Sequence, residues 1–334
     1  MKKKIINEPT QVVAQCAEGF LAAHGDLYEK IPGVAGLKVR KTKDKTALVI
    51  GGGSGHEPMF GFFLGENLAD ATASGNVFAS PDPNTIMQTA VSVACGKGVL
   101  FVYGNYAGDN MNFDIAAEML EDMGIESKTV RVWDDVASAP KSRIEDRRGI
   151  AGDLFVVRIA GAATGAGLSL DEAFRITEKA RDNTFSIGIA LSGATIPGEE
   201  NAIFTLPEDE MEYGVGIHGE AGICRVKMEQ ADVLVENLYH KLIDDSGIHS
   251  GDVVCTFVNG LGSTTLMELY IINRKLRELL EADGIKIHDM VVDSLVTSQE
   301  MAGASITLMR LDEELEQYYN MPCYSPHYQF NGKE

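Results

Sequence analysis

Apolar residues along this chain follow two alternating rhythms. Val12, Val13, Cys16, Ala17, Phe20 and Leu21 recur at helical spacing, and Gly25 stops the stripe. Thr46 to Ile50 is a short apolar run that predicts a strand leading into the glycines at 51–53. Residues 84–95 read as helix and Val99 to Tyr103 as strand. Phe113, Ala116, Met119, Leu120 and Met123 mark a further helix ended by Gly124, and Thr129 to Trp133 a further strand. The Ala/Gly-rich stretch 154–166 predicts a tightly packed helix. Ser169 with Glu172 has capping-box spacing and opens a helix over 170–181. Phe185 to Leu191 reads as a buried strand.

A second part begins near residue 186. It holds a helix near 228–243, a strand at Val253 to Val258, and a helix capped by Thr265 and Glu268 with Leu266, Leu269, Leu276 and Leu279 on its face. Ile287 to Val292 and Ile306 to Met309 are further strands. Alternating strands and helices predict an α/β fold of two packed α/β domains. Residues 1–185 form the first, with a mainly parallel sheet covered by helices on both faces. Residues 186–334 form the second, with a smaller mixed sheet. No low-complexity linker separates them.

Bulk properties narrow the function. The chain has 334 residues, 45% of them apolar, a net charge of −20, and 35 glycines clustered in loops. An acidic surface repels phosphate backbones and anionic membranes, which disfavours nucleic-acid and membrane partners. The five cysteines, at 16, 95, 224, 255 and 323, include no C-x-x-C pair. That suggests neither a disulfide framework nor a zinc site and fits a reducing cytoplasm. After Lys2 to Lys4, Asn7, Glu8 and Pro9 interrupt any apolar core at once, unlike a signal peptide. No apolar run approaches the roughly 20 residues of a membrane span.

Three glycine-rich or polar loops carry the candidate chemistry: Gly51 to Pro58 with His56, Asn105 to Asp109, and Gly214 to Glu220 with His218. The first two begin where strands end, so His56 and Asp109 are expected on one rim of the sheet, where α/β folds bind ligands. Each also has a plainer reading. The first loop can be a tight turn, Asp109 can cap the helix that follows, and His218 can simply be satisfied by Glu212 or Glu220. Gly214, Gly216 and Gly219 match G-x-G-x-x-G, but an acidic stretch precedes them in place of a strand, which argues against a dinucleotide site. An unprotonated imidazole among glycines can instead add to a ketone or aldehyde carbon as a hemiaminal. P-loop, kinase and zinc-hydrolase motifs are absent, so a phosphoryl donor would come from elsewhere.

The sequence resembles the substrate-binding K subunit of dihydroxyacetone kinases over essentially its whole length. The resemblance rests on Gly51–Pro58, Ser80-Pro81-Asp82-Pro83, Asn105–Asp109 with Asn112-Phe113, Arg147-Arg148-Gly149 and Glu210–Gly222. It implies a homodimer in which His218 holds a short ketose as a hemiaminal, while Asp109 and His56 bond its hydroxyls and act as acid–base groups. Gly53, Ser54 and Gly55 would add contacts. It also implies no cofactor on this chain. ATP or ADP with magnesium would sit on a separate L subunit, which a phosphotransferase-system carrier can recharge. The family commonly has lysine where this chain has Gly104. A more open pocket there predicts a shift from dihydroxyacetone toward a four-carbon erythrulose. The alternative the resemblance leaves open is a non-catalytic, ligand-binding co-regulator of transcription.

Overall fold

The computed structural model describes residues 4–333. The first half runs α1 (Val12–His24), β1 (Tyr28–Lys30), β2 (Gly36–Val39), β3 (Ala47–Ser54), β4 (Ala71–Val77), α2 (Pro83–Val91), β5 (Val99–Gly104), α3 (Ala107–Asp122) and β6 (Ser127–Val132). Its six strands lie in the order β1-β2-β4-β3-β5-β6. β4, β3, β5 and β6 are parallel, and β1 and β2 add an antiparallel edge. Leu48, Val49 and Ile50 of β3 and Val99 to Tyr103 of β5 are all buried. Their unbroken apolar runs are what a parallel strand covered on both faces requires. β4 was not legible in the sequence. Ala71, Thr72 and Ala73 show no apolar alternation, and pairing with Val49, Ile50 and Gly51 of β3 makes them a strand.

Next come α4 (Asp153–Gly165) and α5 (Leu170–Asp182). The second half continues with β7 (Thr184–Ser192), β8 (Glu210–Tyr213), β9 (Cys224–Lys227), α6 (Ala231–Ser246), β10 (Val253–Gly260), α7 (Leu266–Ala282), β11 (Lys286–Asp293), β12 (Ala302–Leu311), α8 (Glu313–Tyr319) and the small hairpin β13 (Cys323–Tyr324) and β14 (Gln329–Phe330). The second sheet, β11-β10-β12-β7-β8-β9, is mixed as expected, with β10 and β11 as its parallel pair. It is not the smaller one by strand number, since it too has six strands. The proposed domain boundary at 185/186 falls inside β7.

The acidic stretch before Gly214 is a strand after all. In β8, Met211 and Tyr213 enter the second core, while Glu212 accepts hydrogen bonds from the Gly222 amide (2.7 Å) and Arg225 (2.8 Å). Burial of alternate side chains and a paired carboxylate overcome the low strand propensity of the glutamates.

α4 explains its own composition. Residues 153–164 are all buried. The cluster around the helix joins Leu48, Ile50, Leu100 and Val102 of the first sheet to Cys255, Phe257, Met309 and Leu311 of the second. A helix that meets apolar neighbours on every side has no polar stripe. Small residues allow the tightest approach: a Cβ on Gly161 would lie 2.3 Å from the Asn67 carbonyl oxygen. The Thr265–Glu268 capping box forms in full. At Ser169 only half forms: the serine accepts from the Glu172 amide, but the Glu172 carboxylate pairs with Arg175.

Candidate active site

The three loops meet. Gly51, Gly52, Gly53, His56, Phe60, Gly104, Tyr106, Asp109, Ile217 and His218 line one small cavity. The glycines lie at the carboxyl end of β3 and Gly104 at that of β5. His218 arrives from the other half, in the loop 214–223 that joins β8 to β9. The segment after β11 ties the halves together at this point. Thr297 N–H donates to the His56 carbonyl (3.2 Å) and Gln299 N–H to that of Gly55 (2.8 Å), and the Ser298 hydroxyl donates to the Ile217 carbonyl.

His56 is buried against the ring of Phe78, with centroids 5.1 Å apart. Its Nδ1 lies 2.7 Å from the Thr297 carbonyl oxygen, which can only accept, so Nδ1 carries the hydrogen and Nε2 is left with a lone pair. Nε2 faces Nε2 of His218 at 3.0 Å. The other His218 nitrogen, Nδ1, is 3.1 Å from Glu220 Oε1, and the His218 amide donates to Glu220 Oε2 at 3.1 Å. A carboxylate also only accepts, so this Nδ1 is a donor as well. The contact between the two Nε2 atoms is therefore a hydrogen bond only when one further proton lies between them. Burial, then the charge on His218, lowers the His56 pKa to about 3, so His56 itself stays neutral.

Glu220 is placed by local sequence. The Gly216 amide donates to the Glu220 carbonyl (3.0 Å) and the Gly219 amide to the Gly216 carbonyl (3.0 Å), closing a tight turn. A Cβ on Gly216 would lie 2.1 Å from Glu220 Oε2, so only glycine lets the carboxylate fold back to its histidine. Arg148 supports it from behind. This guanidinium pairs with buried Asp135 (2.8 Å), donates to the Gly214 carbonyl (2.9 Å), and reaches Glu220 at 3.9 Å. Burial alone would raise the Glu220 carboxyl, but its hydrogen bond to His218, the His218 charge and Arg148 hold it down at about 2. The plainer reading of His218 as satisfied by Glu220 is thus half right. Glu220 takes one ring nitrogen and turns the other into the cavity.

Asp109 does not cap its helix. Tyr106 stands at the N-cap of α3, and Asp109 lies inside the first turn. It is buried, and its Oδ1 has no hydrogen-bond partner among the described residues. Burial raises its pKa, against the opposing pull of Ser80 and His218. Of the other expected contacts, Gly53 and Gly104 line the cavity. Ser54 turns away and donates to the Gly75 carbonyl (2.8 Å), and the Gly55 amide is taken by the Glu57 carboxylate (3.0 Å). Tyr106, inside the Asn105–Asp109 loop, packs its ring edge-on to His218 at 4.6 Å, whereas sequence reasoning did not find Thr297, Phe78 or Phe60. They lie far apart in the chain, and no spacing rule links them.

The G-x-G-x-x-G match now has its preceding strand, β8. A dinucleotide site also needs a helix starting at the third glycine, to present its N-terminus to the pyrophosphate. Here the chain passes into strand β9 instead.

A mainly parallel sheet whose strand ends carry an acid and a histidine, closed by a second histidine from a mixed sheet, defines an α/β protein built to grip a small polar molecule. The Dak1 domain model matches residues 18–327, and the chain belongs to that family. It is 43% identical over 329 residues to the dihydroxyacetone-binding subunit DhaK of PTS-dependent dihydroxyacetone kinase 2 from Listeria innocua, covering 98% of this chain and 99% of that protein. It is 41% identical to an L-erythrulose kinase from Pectobacterium atrosepticum, where 96% of this chain matches 55% of the relative. The dihydroxyacetone kinase of C. freundii superposes over 100% of this chain and 62% of that one, with a TM-score of 0.91 and 29% identity. The dihydroxyacetone kinase operon co-activator Dha-DhaQ does so over 95% and 97%, with a TM-score of 0.87 and 29% identity. No described helix is long and apolar enough to cross a membrane.

Proposed function

We propose that this chain is the substrate-binding subunit of a hydroxyketone kinase and that His218 holds the ketose covalently. The observation that carries the reading is the geometry of His218: Nδ1 fixed by Glu220, and Nε2 in a small cavity beside His56. Attack by Nε2 on the ketone carbon forms a C–N bond and breaks the C=O π bond. His218 attacks as the neutral imidazole, and the carbonyl oxygen takes a proton from solvent and becomes a hydroxyl. His218 is left as an imidazolium whose Nδ1–H faces Glu220, so charge is conserved. A terminal hydroxyl of the tethered ketose then gives its proton to Asp109 as its oxygen attacks phosphorus. The raised pKa of Asp109 suits it to that role. Gly53 and Gly104 bound the ligand.

The nucleotide, ATP or ADP with magnesium, belongs to a separate L subunit. The name of the Listeria relative supports recharging by a phosphotransferase-system carrier. Catalysis by this chain then consists of positioning the acceptor and taking its proton. The working form is a homodimer in the cytoplasm. Similarity to a co-activator supports a second reading, a ligand-binding regulator of transcription. Asp109 separates the two, because a sensor has no need of a base.

The test is titration calorimetry with dihydroxyacetone and erythrulose, beside His218→Ala, followed by phosphoryl transfer with a cognate L subunit. Binding that disappears in the variant supports capture by His218, and equal binding by both proteins ends that reading. Capture without transfer moves the chain to the regulatory class.

A further inference from the structure

One buried carboxyl group beside the cavity has no part in the steps above. Asp153 opens α4 and is 0% exposed. Neither of its carboxyl oxygens has a hydrogen-bond partner among the described residues. Its neighbour Asp134 is equally buried but accepts from the amides of Ile150 (2.8 Å) and Gly152 (2.7 Å). A buried polar group left unpaired costs about 1–3 kcal/mol. Stability alone favours an apolar residue in that place, so the fold retains an expensive group.

The group lies behind a residue that lines the site. Gly104 lines the cavity, and a Cβ placed on it would lie 3.3 Å from Asp153 Oδ2 and 3.4 Å from the ring of Tyr106. With glycine at 104, no side chain of that residue fills the space against the carboxyl group. We propose that Asp153 is a specificity-determining residue that hydrogen-bonds, across Gly104, the additional hydroxyl of a ketose longer than three carbons. This rests on the hydroxyketone reading above.

The chemistry of the surroundings selects a neutral hydroxyl. Burial, then the nearby charges of Asp134 and Asp109, push the Asp153 carboxyl well above the usual range, which favours its protonated form. A carboxylic acid donates one hydrogen bond and accepts another, and an alcohol offers the complementary pair. An ammonium group or metal ion would need the ionised form, which these neighbours oppose. A site with a hydrogen-bonding group waiting for a hydroxyl discriminates against the shorter ligand, which leaves that group unpaired.

The experiment is calorimetric titration of the purified full-length chain with dihydroxyacetone, L-erythrulose and D-erythrulose. Asp153→Leu, Asp153→Asn, Gly104→Ala and His218→Ala are titrated alongside. The wild type is expected to prefer one erythrulose enantiomer over dihydroxyacetone. In Asp153→Leu that affinity ratio falls roughly tenfold or more. Asp153→Asn keeps most of it, because a carboxamide also donates and accepts. If the leucine variant does not fold, Gly104→Ala carries the test: its Cβ crowds the approach, and the ratio falls. A wild type that prefers dihydroxyacetone, an unchanged ratio in the leucine or alanine variant, or a ratio lost equally in the asparagine variant overturns the proposal. Undiminished ketose binding by His218→Ala overturns the hydroxyketone reading as well, and is told apart by that variant alone.

Discussion

Replacing Glu220 by glutamine isolates the role of its charge. The side chain keeps its size, and the turn that Gly216 permits is undisturbed. What is lost is the carboxylate that accepts from both the Nδ1 and the amide of His218, each at 3.1 Å. Hydrogen bonds to charged groups contribute about 1.5–3 kcal/mol. The Glu220 side chain is 35% exposed and that of His218 22%, so solvent screens the pair and the lower end applies. A loss of about 1.5 kcal/mol corresponds to roughly tenfold weaker ketose capture. The loss belongs to the captured state, in which the imidazolium charge is permanent and needs a counter-ion. Because the Glu220 pKa stands at about 2, the wild-type carboxylate is ionised throughout the neutral range, so the deficit of the variant is the same from pH 6 to 8. Titration calorimetry with dihydroxyacetone and erythrulose at several pH values measures this. Glu220→Gln binding within twofold of wild type would refute the argument that Glu220 stabilises the charged histidine.

Gly216→Ala should weaken capture about as much, since its Cβ would lie 2.1 Å from Glu220 Oε2; a double variant with Glu220→Gln should be little worse than either single one, and plain additivity would count against the shared cause. Asp109→Asn should bind ketose within a few-fold yet lose roughly 100-fold or more in phosphoryl transfer with an L subunit; comparable losses in both assays would make Asp109 a binding group only. His56 protonates near 3 in the fold and at its ordinary 6.5 when unfolded. Between these values the unfolded chain holds the extra proton, so stability falls as pH drops from 6.5 toward 3, by up to about 1.4 kcal/mol per pH unit. His56→Gln should flatten that slope in denaturant titrations, and an unaltered slope would assign it to other groups. Phe155→Ala, in the first turn of α4, should cost about 3–5 kcal/mol in chemical denaturation; a cost under 1 kcal/mol would mean that the core around α4 collapses to fill the space.

Much of the fold was legible because its strongest signals are local. β3 and β5 carry unbroken apolar runs, α5 and α7 carry N-cap residues at the right spacing, and the Ala/Gly-rich, largely apolar stretch at 154–166 announces a tightly packed helix. What failed were elements whose state is decided by partners. β4 is a strand because β3 offers its backbone, and β8 because Met211 and Tyr213 find a core while Glu212 finds Arg225 and the Gly222 amide. Neither segment states this in its own composition.

The candidate site divides in the same way. The sequence by itself determined which groups are chemically able: two histidines, an aspartate, and the glycines that let backbone and carboxylate approach them. It also determined that His56 and Asp109 share the carboxyl edge of one sheet, because both follow strands whose direction is set by the alternating pattern. Only the tertiary structure decided that His218, 162 residues after His56, brings its Nε2 within 3.0 Å of the other. It alone decided that Ser54 and Gly55 turn away, that Thr297 fixes the His56 tautomer, and that Asp153 stands unpaired behind Gly104. The physical reason is range. Propensity, capping and turn chemistry act over a few residues, whereas the packing of two sheets around α4 brings together groups that the chain keeps far apart.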